Sequence, residues 1–164
     1  MLLALGTPRV PGKGANRFDK PTDVAVHPRS REVYVADGYG NSRVAVFSYT
    51  GQYLREFGEA GSGPGQFRVP HGLAIDKRGD VYVADRENSR VQVFTAAGTH
   101  KATWVSRVAT AVGRQSFTRH VSSVFYHEGL DLFAVSAGGA HHTHSVLACG
   151  SHANEAGGPR TSSP

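Results

Sequence analysis

The sequence contains one cysteine, Cys149. No intrachain disulfide can form, and a zinc site built on several thiolates is excluded. Any metal would have to be held by His, Asp or Glu. No apolar run approaches the ~18 residues that cross a bilayer as a helix. The opening "MLLALGTPRV" starts apolar but ends at Gly6 and Pro8. It has no basic leader, and its apolar stretch is shorter than the roughly 7–15 residues of a signal core. It reads as a β-strand, and the chain as soluble with no signal peptide of its own. There is no block of Lys or Arg either. The +5 net charge comes from 18 basic against 13 acidic residues, and the arginines are scattered. That balance permits an acidic or nucleic-acid partner, and equally a solvated basic surface.

What is present points to β-structure. The 164 residues suit one ordinary domain, and 39% hydrophobic content is enough for a core. Twenty glycines and eight prolines imply many turns and little long helix.

The strongest signal is internal repetition. Residues 18–47 read "FDKPTDVAVHPRSREVYVADGYGNSRVAVF", and residues 67–94 read "FRVPHGLAIDKRGDVYVADRENSRVQVF". Pro21 matches Pro70, Asp37 matches Asp85, and Asn41-Ser42-Arg43 matches Asn88-Ser89-Arg90. The first copy is one residue longer in each of its two turns. Each copy predicts three short strands, at about 22–27, 33–37 and 43–48, then 71–76, 81–85 and 90–95. A fourth is expected at 52–58 and, more weakly, at 100–104. Four antiparallel strands per repeat of ~40–50 residues is the pattern of a β-propeller blade.

The flanks carry pieces of the same unit. "LLALG" at 2–6 parallels "LREFG" at 54–58 and is expected to be a fourth strand. A weaker third copy is expected over 117–138, in "HVSSVFY" and "LDLFAVSAG". The fold expected is therefore all-β: an incomplete propeller over 1–138, with blades at about 17–58 and 66–104 and a partial blade on each side. Residues 139–164 are expected to be a disordered low-complexity tail. Its "HHTH" tract suits metal binding by composition but lacks the context of a strand.

His71 stands out in "RVPHGLAID". It follows a proline where an apolar strand begins, and the first copy has Thr22 there. On spacing alone two roles remain open: a polar residue finishing a strand end, or a metal ligand facing the central channel. Tyr39 falls in the "DGYGNSR" turn and is not a repeat-wide core position. Arg43 and Arg90 recur in both copies and are read as structural.

The motifs "FDKPTDVAV", "ADGYGNSR", "GPGQFRVPHGLAID" and "VADRENSRVQVF" resemble NHL repeats, and together they resemble the peptidyl-α-hydroxyglycine α-amidating lyase family, also called peptidylamidoglycolate lyase. The resemblance covers about residues 1–138. It implies a six-bladed propeller, a peptidyl-α-hydroxyglycine substrate, and cleavage to a peptide amide and glyoxylate. A monooxygenase domain or partner supplies that substrate in the family, whose setting is secretory. The resemblance implies zinc held by three histidines from different blades, with His71 as one. Tyr39 matches the family's active-site tyrosine; a phenol acts as a base at neutral pH only beside cations. Arg86 matches a substrate-binding arginine, and a guanidinium fork suits a terminal carboxylate.

Departures from the family are equally specific. The other two zinc histidines, an upstream arginine and the residues associated with calcium have no counterpart here. Where animal members place disulfide cysteines, this chain has Asp19, Gly40, Tyr82 and Val93. One zinc ligand of three points to a fragment with an incomplete site, from which little zinc affinity and no turnover are expected. The alternative is a non-catalytic NHL module that binds protein or RNA.

Overall fold

The computed structural model describes residues 3–105, 120–138 and 145–150. They form three antiparallel sheets, each built from strands adjacent in sequence. The first holds β1 (Asp23–Val26), β2 (Val33–Asp37), β3 (Arg43–Phe47) and β4 (Tyr53–Phe57). A short parallel pair follows, β5 (Glu59–Ala60) with β6 (Gln66–Phe67). The second sheet holds β7 (Pro70–Ile75), β8 (Val81–Asp85), β9 (Arg90–Phe94) and β10 (His100–Val105). The third holds β11 (His120–His127), β12 (Leu132–Gly138) and β13 (Ser145–Gly150). Each expected strand of the two repeats lies within a residue or two of its observed position. No helix among the described residues is long and apolar enough to cross a membrane.

The sheets pack face to face, which is how propeller blades bury their surfaces. Tyr34, Val44 and Val46 of the first sheet meet Leu73, Val81, Val83 and Phe94 of the second, with Phe67 wedged between them. Tyr82, Val91 and Val93 of the second meet Val121, Val124 and Phe133 of the third. This explains why "VYVAD" and "RVQVF" read as near-continuous apolar runs: middle strands of a blade have a neighbour on both faces. By contrast, β1 alternates half-buried and exposed residues.

The first strand of each sheet lies innermost, and side chains tie these strands together. The Thr22 hydroxyl donates to the Pro70 carbonyl (2.7 Å), and the Leu73 N–H donates to Asp23 Oδ2 (2.8 Å). His71 Nδ1 lies 2.7 Å from the Ser122 carbonyl oxygen.

The repeat code has a physical basis. Asp37 accepts from the Asp19 N–H, Asn41 Nδ2 and Arg43 Nε. Asp85 accepts from the Arg68 N–H, Asn88 Nδ2 and Arg90 Nε. Arg43 then reaches the carbonyls of Gly14 and Arg17, and Arg90 those of Gly63 and Gln66. Each Asp–Asn–Arg set staples the Gly-rich loop onto its own blade, as expected for residues repeated in both copies. Glycine 58, at φ +93°, packs on Phe67, and Gly6, at φ +84°, packs on Phe18. The two loops are thus equivalent.

The third sheet belongs to the same series. A residue at or just after the end of each innermost strand caps the following turn: His27 Nδ1 accepts from the N–H groups of Arg29 and Ser30, Asp76 Oδ1 from Arg78, Gly79 and Asp80, and His127 Nδ1 from Leu130.

Two expectations at the flanks are corrected. Residues 3–6 form no strand. No described strand lies where it could pair with them, so Leu5 only packs on Val35, Ala45 and Phe47. The tail expected to be disordered from 139 onward contributes β13, which pairs along the whole of Leu132–Ala137. Its apolar content, low by count, is concentrated in "SVLACG", and a free strand edge was waiting for it. Residues 139–144, which include the whole "HHTH" tract, and 151–164 lie outside the described residues.

Candidate functional site

All three candidate residues lie at one end of the blades, where the innermost strands begin and the second strands finish. His71 is the second residue of β7, at an irregularity in its pairing with β8 between Pro70 and Gly72. From there the side chain reaches Ser122 of the next sheet. The ring is half-buried. A carbonyl can only accept, so Nδ1 must carry the proton in its bond to Ser122. That leaves the Nε2 lone pair free, the arrangement that a metal-ligating histidine adopts.

Tyr39 stands over this ring. The two centroids are 5.7 Å apart in an edge-to-face contact at 84°. Tyr39 remains 53% exposed. A glycine creates the contact: a Cβ on Gly38 would lie 2.1 Å from the Pro70 carbonyl oxygen. Only a residue without a side chain allows the Tyr39 turn to lie against the start of β7. The one-residue excess of the first copy in this turn was the sequence signal for it.

Arg86 occupies the place in blade two that Tyr39 occupies in blade one. The Tyr39 N–H donates to the Lys20 carbonyl, and the Arg86 N–H to the Val69 carbonyl. Both acceptors sit immediately before the prolines, at φ +58° and +61°. For the β-branched Val69 this is a strained conformation, and the strain recurs in both blades. Arg86 therefore joins the site through its backbone. Its guanidinium bonds Glu87 (Nη1 to Oε1, 2.7 Å), not Tyr39 or His71.

Further residues at this end were not singled out from the sequence. A Cβ on Gly72 would lie 2.8 Å from the Ser123 Cα, so this glycine lets β11 come close enough for Ser122 to hold His71. Glu87 and His120 complete the cluster, with His120 Nε2 3.4 Å from Glu87 Oε2. The available signal was divergence between the copies: Gly72 aligns with Asp23, and Glu87 with Gly40. Among the described residues, no group of three or more His, Cys, Asp or Glu comes together to hold a metal. His71 has the chemistry of one ligand, and the described residues do not supply the rest of a zinc shell.

The NHL-repeat family model matches residues 18–47 and 67–94. The chain is 44% identical over 140 residues to peptidyl-glycine alpha-amidating monooxygenase of Mus musculus, covering 82% of this chain and 14% of that protein. It is 43% identical over 99 residues to a probable peptidyl-alpha-hydroxyglycine alpha-amidating lyase of Caenorhabditis elegans, covering 58% of this chain and 28% of that one. The chain thus spans a small part of the length of the curated relatives it matches. Among solved structures, a gluconolactonase from Xanthomonas campestris superposes with a TM-score of 0.55 at 17% identity, over 74% of this chain and 36% of that one. At that identity the likeness concerns the fold alone.

Proposed function

We propose a function for what is an NHL-repeat β-propeller protein homologous to the amidating monooxygenases and lyases: these blades serve C–N cleavage of a peptidyl-α-hydroxyglycine. The observation that carries this reading is the Tyr39–His71 contact. It joins two residues that each differ between the copies, at a point where the repeat itself requires neither.

In this reading His71 presents Nε2 to zinc as one of several ligands, the others coming from blades beyond those described. When bound, the metal would supply Lewis-acid stabilisation of developing negative charge on oxygen. Tyr39 takes the proton of the substrate hydroxyl. The C–N electron pair leaves with the amide nitrogen, which gains a proton, and the carbonyl of glyoxylate forms. Arg86 binds the substrate carboxylate through paired charge-assisted hydrogen bonds. Holding that carboxylate on one blade and the base on the next fixes the scissile bond between them.

Two measurements test this. The chain alone is expected to bind zinc weakly and release no glyoxylate from a peptidyl-α-hydroxyglycine. Transplanted in place of the matching blades of the C. elegans lyase, residues 17–105 are expected to give a chimaera that releases glyoxylate. That release should fall by about 100-fold or more in His71→Ala and Tyr39→Phe. A folded chimaera that releases glyoxylate equally well without His71 and Tyr39 would overturn the reading. Salt-sensitive binding of single-stranded RNA by an inactive chimaera would favour the non-catalytic module instead.

A further inference from the structure

Glu87 belongs to the second blade alone. Its counterpart is Gly40: the Gly40 N–H donates to the Asp19 carbonyl as the Glu87 N–H donates to the Arg68 carbonyl. No side chain fits in the first blade, because a Cβ on Gly40 would lie 2.0 Å from Asp19 Cγ. An acid at 87 is therefore not part of the code that builds a blade. It sits where the site residues sit, directly after Arg86.

Its two oxygens face different partners. Oε1 accepts from Arg86 Nη1 at 2.7 Å. Oε2 lies 3.4 Å from Nε2 of His120, the first residue of β11. The same strand supplies the Ser122 carbonyl that holds His71. The opening residues of β11 thus steady both His71 and, through Glu87, Arg86. With Nη1 engaged, the Nε and Nη2 edge of the guanidinium has no partner among the described residues. A free edge of that kind is what a carboxylate fork requires.

We propose that Glu87 and His120 are positioning residues: they fix the Arg86 guanidinium by one edge and present the other to the carboxylate of a glycine-ended peptide. The proposal rests on the lyase-type reading for its ligand and on geometry alone for the positioning. An arginine side chain left unheld keeps its rotamer freedom and surrenders affinity when a ligand orders it. A guanidinium already held does not.

The test uses the full chain labelled with 15N. The Arg86 Nε–H signal, assigned through Arg86→Lys, reports side-chain order through its heteronuclear NOE. Native protein and Glu87→Gln, which keeps the Oε1 acceptor, are expected to show an ordered signal. Glu87→Ala should lose at least half of that NOE, and His120→Ala a smaller part. The second measurement titrates N-acetyl-phenylalanyl-glycine and its C-terminal amide. Native protein should prefer the acid, and Glu87→Ala should weaken that preference roughly two- to tenfold. An ordered Arg86 in Glu87→Ala, or no rescue by Gln, would overturn the positioning role. Loss of order in Glu87→Ala with neither peptide bound would leave the positioning standing and count against the lyase-type reading.

Discussion

The first and second blades are built to one plan and finished differently. Both carry the buried Asp–Asn–Arg staple, the strained residue before proline, and the Gly–Phe contact at the loop. They part at the end where the innermost strand begins. Thr22 is replaced by His71, Asp23 by Gly72, Tyr39 by Arg86 and Gly40 by Glu87. In the first blade Thr22 and Asp23 bond across to the second sheet and also within their own blade. In the second, His71 bonds to the next blade through one nitrogen and keeps the other. The shared residues make a blade; the unshared ones are the candidates for a site.

Breaking the shared plan should have the largest effect. Arg43 and Asp37 are both fully buried, with Nε to Oδ2 at 3.0 Å. Asp37→Ala would take one of two carboxylates from the buried Arg43 guanidinium, leaving Glu56, and would strip the acceptor from the Asp19 N–H and Asn41; it is expected to cost about 3–5 kcal/mol, measured by urea denaturation. Asp85→Ala should cost less, since Arg90 keeps some access to water. Equal costs would mean that burial of the arginine is not what sets the penalty.

The next effect falls on the join between plan and site. Gly38→Ala places a methyl against the Pro70 carbonyl, which can yield only by moving the turn or the strand. A cost of about 1–3 kcal/mol is expected, together with loss of the NOE between the Tyr39 and His71 rings. Retention of that NOE would show that the contact does not depend on this glycine.

The opposite end of the first blade responds to acid. The Arg55 guanidinium, with its paired hydrogen bonds to Glu32, holds that carboxyl at about 2, below its ordinary 4.5. A group depressed in the folded state stabilises above its unfolded value and loses that contribution as pH falls. The native chain should therefore lose stability on this account between about pH 4.5 and 2. Glu32→Gln should remove on the order of 1–2 kcal/mol of that dependence, read as the change in Tm over this range. The second blade has Asp80 paired with Lys101 at the corresponding turn, an exposed pair from which a smaller effect is expected.

The sequence exposed the plan more fully than the site. Repetition displays structural residues twice, so Asp37, Arg43 and their partners were legible before any fold was known. His71 and Tyr39 were marked by their departure from the repeat, but their roles, and Arg86 altogether, were legible only through a family resemblance. Gly38, Gly72 and Ser122 were not. Their importance lies in backbone approach between segments distant in sequence, or in a main-chain carbonyl that any residue supplies. The ends misled for a related reason. A strand needs a neighbour as well as a pattern: residues 3–6 have the pattern and no described partner, while β13 has a poor composition and an open edge beside it.

The smallest stability effect is expected at the residue of greatest functional interest. His71→Thr installs the first blade's residue in the second. It removes one hydrogen bond from a half-buried ring, which corresponds to about 0.5–1.5 kcal/mol. Thr22 shows that a threonine at this place can bond to an adjacent strand, so part of that loss is recoverable. In the chimaera, by contrast, on the proposed reading the same change would remove a nitrogen ligand that threonine cannot replace, and glyoxylate release should disappear. A thermal melt and a zinc titration on one sample separate the two consequences. Destabilisation beyond about 3 kcal/mol with zinc affinity intact would place His71 in the building plan after all, because residues of the plan are recognised by what the blade loses without them. A small loss of stability with complete loss of metal binding is the signature of a residue that the fold tolerates and the site requires.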